Sequence, residues 1–327
     1  MDINSKTVLL DSLITSTWYK IRSEVMDQCF KITPYYSLMF EKGKIKAKAP
    51  EGTHFEITVR YAKQDQNRKW FARGSTFGRA EKESLTRLLY YVKYVGTSIP
   101  RFWVDDQKNR SSAQLINYAE EMVENAKMSM IEGFEDDMWV QNADPNAMDA
   151  LSTLISTTPT VGSIGGLTRS TNEYLQNNTK DFSGLTIAAD LLDEMTAMYN
   201  TCSIYKGTKT QRFPNIILTT QAIYESYEKL CRSLQVIQTA STQQVSLGFG
   251  NLAFKNTPLF WAPNCPSGCM YFLNTDTLEL DYDPAIWFSM TEWKSEANNL
   301  DRTAQVVCAC NQLCTNFRKN GVIFDIE

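Results

Sequence analysis

The chain has 327 residues, 43% hydrophobic and 21% charged, with a net charge of −4. That balance is globular rather than disordered, and the length fits one large domain or two ordinary ones. No apolar run reaches the roughly 18–20 residues of a membrane span, and Met1–Leu10 lacks a signal-peptide pattern, so a setting inside a cell and off the membrane is expected.

The charge is unevenly spread. Through Arg101 there are 18 Lys and Arg against 10 Asp and Glu, while the remainder carries 15 against 27. A basic first third and an acidic remainder give the chain a reason to adhere to copies of itself. A basic segment can equally bind nucleic acid.

Residues 1–40 show no dominant period. A short amphipathic helix is expected near Asp11–Gln28, ahead of the aromatic stretch Pro34–Phe40. Lys44–Ala49 and His54–Tyr61 then alternate like strands, Ala62–Lys69 is a polar tip, and Trp70-Phe71-Ala72 begins a return. This predicts a long hairpin with a charged end. A two-stranded hairpin is marginal in water by itself, so it must lie on a neighbouring subunit or fold back on its own domain. The single histidine, His54, falls on a half-exposed strand. A Ser-His-Asp or Cys-His hydrolase would have to rely on it, and His-rich zinc sites are excluded.

Leu85–Val104 reads as further strand. Ser111 can cap a helix with Gln114 as its capping-box partner. Leu115, Ile116, Ala119, Met122, Val123, Ala126 and Met130 follow at helical spacing, with Glu120, Glu121, Glu124 and Lys127 behind. The spacing predicts a long helix laid across a sheet. The acid pairs Asp105-Asp106, Glu120-Glu121 and Asp136-Asp137 read as solvated faces rather than a catalytic pair. Gly162-Ser163-Ile164-Gly165-Gly166 has neither phosphate-loop nor dinucleotide spacing, and residues 140–183 predict loops and short strands.

A second helix is expected over Thr186–Ile204, with Ala188, Leu191, Leu192, Met195, Met198, Tyr199 and Cys202 inward. Asn215–Thr219 predicts a buried strand and Thr220 can cap a third helix, Gln221–Ser233. Strands near Leu252–Phe254, Leu259–Ala262 and Met270–Asn274 complete an α+β unit, and Ala285–Trp293, Thr303–Cys314 and Gly321–Ile326 add more. Cys265, Cys269, Cys308, Cys310 and Cys314 could supply four thiolates to zinc. Their spacing is not that of Cys-x-x-Cys knuckles, however, and Val306–Cys310 reads as a buried strand in which Cys is a small hydrophobe. Disulfides are not expected in a reducing compartment. No enzyme signature emerges and no cofactor is expected.

This order of arm, basic hairpin, spine-like helix, α+β unit and returning strands resembles the major capsid protein of tailed bacteriophages. That fold is shared with encapsulin nanocompartments and the herpesvirus capsid floor. Gly165–Asn172 is similar to the Gly-Gly-x-Asp-Arg-Ser-Thr segment of one phage capsid family, with Thr168 in place of Asp. Leu175-Gln176 replace an aromatic–basic pair. Pro214–Gln221, Pro263–Asn274 and Asn316–Val322 resemble further segments of that family in the same order. The likeness runs from about Asn109 onward; the first hundred residues match in pattern only.

The resemblance implies an α+β capsid fold divided as follows: N-terminal arm 1–43, extended loop 44–79, and peripheral domain 80–185 with a spine helix at about 111–138. The axial domain would be 186–281, the peripheral return strand 282–300, and the axial closing strands 301–327. It implies no catalysis, and pentamers and hexamers of an icosahedral head joined by heterologous contacts. Double-stranded DNA would be cargo, and the partners a portal protein with scaffold and decoration proteins. The location would be a virion assembled in host cytoplasm. Contact candidates are Lys63, Arg68, Lys69, Trp70 and Arg73 on the loop, and Arg169, Asn172, Arg318 and Lys319 elsewhere. Two alternatives stand beside it. One is an encapsulin-like shell. The other is a nucleic-acid-binding protein in which Trp70, Phe71 and Tyr61 interleave with Arg60, Lys63, Arg68 and Lys69 to stack bases.

Overall fold

The computed structural model describes residues 33–63, 65, 67–80, 83–103, 112–205, 212–238, 252–295 and 300–327, with the side chains of 112–121 and 233–238 left outside. The expected helix at Asp11–Gln28, the Ser111 cap and the first part of the helical stripe lie beyond that description. The chain forms two compact units. One holds Tyr94–Glu135 and Ala285–Ala309; the other holds Pro34–Lys93, Asp136–Pro284 and Cys310–Glu327.

The elements run in this order: α1 (Pro34–Glu41), β1 (Ile45–Ala47), β2 (His54–Arg60), β3 (Leu85–Tyr91), β4 (Lys93–Arg101), α2 (Ser112–Trp139) and α3 (Leu151–Leu154). Then come β5 (Ser163–Ile164), β6 (Leu167–Thr168), β7 (Asn178–Asp181), α4 (Ile187–Cys202), β8 (Ile216–Thr219) and α5 (Gln221–Gln238). Last are β9 (Leu252–Phe254), β10 (Thr257–Trp261), β11 (Met270–Leu273), β12 (Leu278–Tyr282), β13 (Ser289–Met290), β14 (Lys294–Ser295), β15 (Arg302–Cys314) and β16 (Gly321–Phe324).

In the first unit, the Arg302–Ala309 part of β15 is the axis of the sheet. It pairs with β13, β14 and β4. The α2 stripe behaves as its period demands: Met130 and Phe134 are buried, Met122, Val123 and Ala126 half-buried, and Glu124 and Lys127 exposed. Phe134 stacks on Trp287 at 5.9 Å. The strand expected over Ala285–Trp293 is mostly absent. A short 3₁₀ turn occupies Pro284–Ile286, and pairing is confined to Ser289–Met290. The cause is local: Phe288 takes a left-handed φ of 48°, which breaks the extended run, and its N–H is met by Cys308 Sγ.

The second unit is built on a sheet in the order β7-β16-β11-β8-β10-β9. Its central strands, Ile-Ile-Leu-Thr of β8 and Met-Tyr-Phe-Leu of β11, are buried throughout. That is why they read as continuous apolar runs rather than alternating ones. On one face lie Leu191, Met195, Met198 and Cys202 of α4 and Ile223 and Tyr227 of α5, against Ile217, Phe272 and Ile323. Each large apolar side chain so buried contributes about 1.5–3 kcal/mol. Ala188, expected inward, is exposed on the first turn of α4, and the buried stripe begins at Leu191. The α5 helix continues past Ser233 to Gln238.

Strands β1 and β12 and the Cys310–Cys314 part of β15 form a further run of paired strands in this unit, in the order β1-β12-β15. Here the expected hairpin is corrected twice. Lys44–Ala49 is not its first leg: Ile45–Ala47 pairs in parallel with Leu280–Tyr282. The return is not Trp70–Ala72 either, because β2 pairs antiparallel with β3, from His54↔Tyr91 to Arg60↔Leu85. Burial at the root decides the register. Phe55, Leu88 and Tyr90 are buried, whereas Trp70 and Phe71 have nothing to pack under. Residues 136–185 group with this unit rather than with the body of α2. They are held there by the parallel pairing of β7 with β16.

Candidate assembly surface

Beyond Arg60 the hairpin has no strand among the described residues, yet its tip is organised. Asn67 clamps the base of the tip, accepting from Ala80 N at 3.2 Å and donating to Ala80 O at 2.6 Å. A turn closes between Ala72 and Ser75, with Gly74 in the left-handed region. Phe71 and Phe77 meet edge-on at 5.0 Å, and Lys69 lies over the Phe77 ring at 5.9 Å. Trp70 is 97% exposed.

The tip is also strongly basic. Arg60, Lys63, Arg68, Lys69, Arg73 and Arg79 stand against Asp65 and Glu83, and among the described residues none of Lys63, Arg68, Arg73 or Arg79 has an ion-pair partner. The tip thus exposes aromatic side chains beside cations that have no ion-pair partner among the described residues, a composition enriched at protein interfaces. Five of the nine expected contact residues, Lys63, Arg68, Lys69, Trp70 and Arg73, gather here. Phe71, Phe77 and Arg79 join them. Their alternation with charge in 68–79 was the available signal, obscured because Trp70–Ala72 looked like strand.

The other four gather elsewhere, and two are corrected. Arg169, on the turn after β6, is 2% exposed and is consumed by its own chain. Its guanidinium donates to Thr153 O at 2.9 Å, Leu154 O at 3.0 Å, Leu175 O at 3.2 Å and Asn177 Oδ1 at 3.0 Å. Burial pulls its pKa below the usual range, against the pull of Cys314 and Tyr90. Lys319 is fully buried, and burial lowers its pKa too. Neither is an exposed contact: Arg169 is taken up by carbonyls of its own chain, and Lys319 is buried. Asn172 ties Thr168 O at 2.8 Å, and Arg318 reaches Glu173 at 3.8 Å and lies over Tyr205 at 4.9 Å. These two remain partly accessible.

The glycines of the Gly165–Asn172 segment now have a reason. Gly165 has a φ of +58°, and a Cβ there would fall 2.9 Å from Leu88 Cβ at the hairpin root. The cysteines behave as apolar filler. Cys308, Cys310 and Cys314 are buried along β15, and Cys265 and Cys269 are buried in the turn before β11. Burial raises the thiol pKa of Cys314 to about 12. Among the described residues no three His, Cys, Asp or Glu side chains are placed to hold a metal ion. No described helix is long and apolar enough to cross a membrane.

No protein-family model matches the sequence, and no curated protein does. Solved structures do. The Cyanophage A-1(L) capsid subunit is 15% identical with a TM-score of 0.64, over 92% of this chain and 95% of that one. This chain has the tailed-phage capsid fold. The capsid of the native GTA particle matches at 8% identity and a TM-score of 0.58, over 93% and 94% of the two chains. The SrpI encapsulin of Synechococcus elongatus matches at 10% identity and a TM-score of 0.55, over 93% of each. At such identities the likeness is one of fold.

Proposed function

We propose that the chain is the major capsid protein of a tailed bacteriophage, self-assembling as pentamers and hexamers into an icosahedral head around double-stranded DNA. The observation that supports this is the match in fold to the cyanophage capsid subunit, over 92% of this chain and 95% of that one. In this reading the hairpin of β2, β3 and their tip is the extended loop. It lies on an adjacent copy, where Lys63, Arg68, Lys69 and Arg73 meet acidic surface around Trp70. The α2 helix is the spine of the peripheral domain, and the sheet containing β8 and β11 is the core of the axial domain. Contacts of this kind are heterologous, so rotation closes rings. The net negative charge suits a shell that confines DNA without gripping it, since many phosphate contacts per subunit would hinder its movement. Portal, scaffold and decoration proteins are the partners of such a head, and the virion is its location.

The SrpI match favours one second reading, an encapsulin-like shell loaded with a cargo protein. Electron microscopy of the purified chain, expressed alone, tests both. Hollow polyhedral shells, or rings of five and six, are the expected outcome. A strictly monomeric protein that binds DNA stoichiometrically would overturn the shell reading in favour of the hairpin as a nucleic-acid clamp. Protein cargo inside shells from the native source would favour the encapsulin form over the DNA-filled one.

A further inference from the structure

Lys44, Lys46 and Lys48 form a row set by the two-residue period of β1. Each reaches a carboxylate on or just before β12: Lys44 to Asp276 at 2.8 Å, Lys46 to Glu279 at 2.5 Å, and Lys48 to Asp281 at 3.6 Å. The third pair differs from the others. Asp281 is 1% exposed, and among the described residues its Oδ1 has no hydrogen-bond partner. Lys48 Nζ makes its shorter contact to the main-chain oxygen of Glu56 on β2, at 2.8 Å. The Glu56 carboxylate in turn pairs with Arg87 of β3 at 2.9 Å. One ammonium therefore joins β12, inside the sheet, to β2 of the hairpin, whose Glu56 is itself paired with β3.

The surroundings of Asp281 make its charge costly. Burial raises its pKa to about 6, with Lys48 and Lys46 opposing and Glu279 reinforcing the rise. Lys46 stands opposite it on β1, and Asn311, opposite on β15, brings no charge. We propose that Lys48 is a tie fastening the hairpin to the sheet, held by ionised Asp281 and released when Asp281 takes a proton. A neutral carboxyl no longer attracts the ammonium, which then gains more from water than from the Glu56 carbonyl. The other two lysine pairs remain, as do the main-chain bonds Leu280 N to Lys44 O and Lys48 N to Tyr282 O, both 2.9 Å. They keep β1 in register, so the loosening is confined to the hairpin. This inference does not rest on the capsid reading.

Amide hydrogen exchange on the full, unassembled chain tests it, after correction for the intrinsic pH dependence of exchange. Protection in β2 and β3 should fall about tenfold between about pH 7.5 and about pH 5, while β1 changes less than about twofold. Asp281→Asn should show the low protection at both pH values. Lys48→Gln should do the same, and it alters a part-exposed side chain, so it serves if the first variant fails to fold. Equal wild-type protection at the two pH values would overturn the proposal. So would a fall that persists undiminished in either variant.

Discussion

Replacing Arg169 by methionine should lower the unfolding free energy of the unit that holds it by roughly 3–5 kcal/mol, the range for breaking a buried, hydrogen-bonded charge network. Four acceptors lose their donor at once: Thr153 O, Leu154 O, Leu175 O and Asn177 Oδ1. Asn177 Oδ1 keeps the N–H of Ser156 at 3.0 Å, so three carbonyls bear the loss. A hydrogen bond from a charged donor is worth about 1.5–3 kcal/mol, and relief of the buried cation returns part of that sum. Methionine also fills less of the space beside the Phe317 ring, which lies 5.8 Å from the guanidinium carbon. Urea unfolding followed by tryptophan fluorescence should show a midpoint about 1 M lower, for an m-value near 3 kcal/mol/M. Arg169→Lys should recover less than half, because one ammonium cannot span four acceptors. Arg318→Met is the control: its partner Glu173 is largely exposed, so the change should stay below about 1 kcal/mol. Arg169→Met within about 1 kcal/mol of wild type but unable to assemble would refute the reasoning and return Arg169 to the inter-subunit role its sequence context suggests.

Reversing charge at Arg68 and Lys69 together should impair shell formation at low salt while leaving the thermal midpoint of the monomer within about 1 °C, since exposed charges contribute little to folding. Assembly indifferent to both the variant and salt would remove the electrostatic argument. Gly165→Ala should cost about 2–4 kcal/mol, through the positive φ and the Leu88 clash together. Gly166→Ala has a φ of +80° but open space around it, and should cost about 1 kcal/mol; equal denaturation midpoints for the two would sink the steric account. Asp281 titrates near 6 in the fold against 3.8 for the free group. The folded state thus binds the extra proton between those values, and stability drops as pH rises through the window, by about 2–3 kcal/mol in all. Asp281→Asn should flatten the thermal midpoint over that range, and parallel wild-type and variant profiles would contradict the assignment.

The parts of the fold most legible in the sequence are those in which one segment decides its own fate. The α2 stripe from Met122 to Met130, the inward row Leu191–Cys202, and the unbroken apolar run at Ile216–Thr219 needed no partner to be recognised. The misreadings all concern pairing. Lys44–Ala49 alternates as a hairpin strand should, but its partner is Leu280–Tyr282, more than two hundred residues on, and no local pattern reveals that. Trp70-Phe71 has strand composition, yet the residues able to be buried opposite Phe55 are Leu88 and Tyr90. The candidate contact residues divide in the same way. The exposure of Lys63, Arg68 and Trp70 was legible because a polar tip exposes whatever it carries. Arg169 and Lys319 looked identical as letters, and only the carbonyls that converge on Arg169 and the burial of Lys319 make them internal.

The place of β16 has a consequence for how the chain is made. Residues 321–324 form neither an edge nor a late addition to a finished sheet; they lie between β7 and β11. During synthesis β7 emerges long before the strand it must pair with, and until then its main-chain groups and the apolar side of α4 lack their neighbour. Parallel pairing across so many residues is slow, because the loop must close before any contact rewards it. A ribosome that stops short of Gly321 therefore releases a chain whose main sheet is split, open to proteases and chaperones. Chains cut short of residue 324 should therefore be depleted from the folded pool.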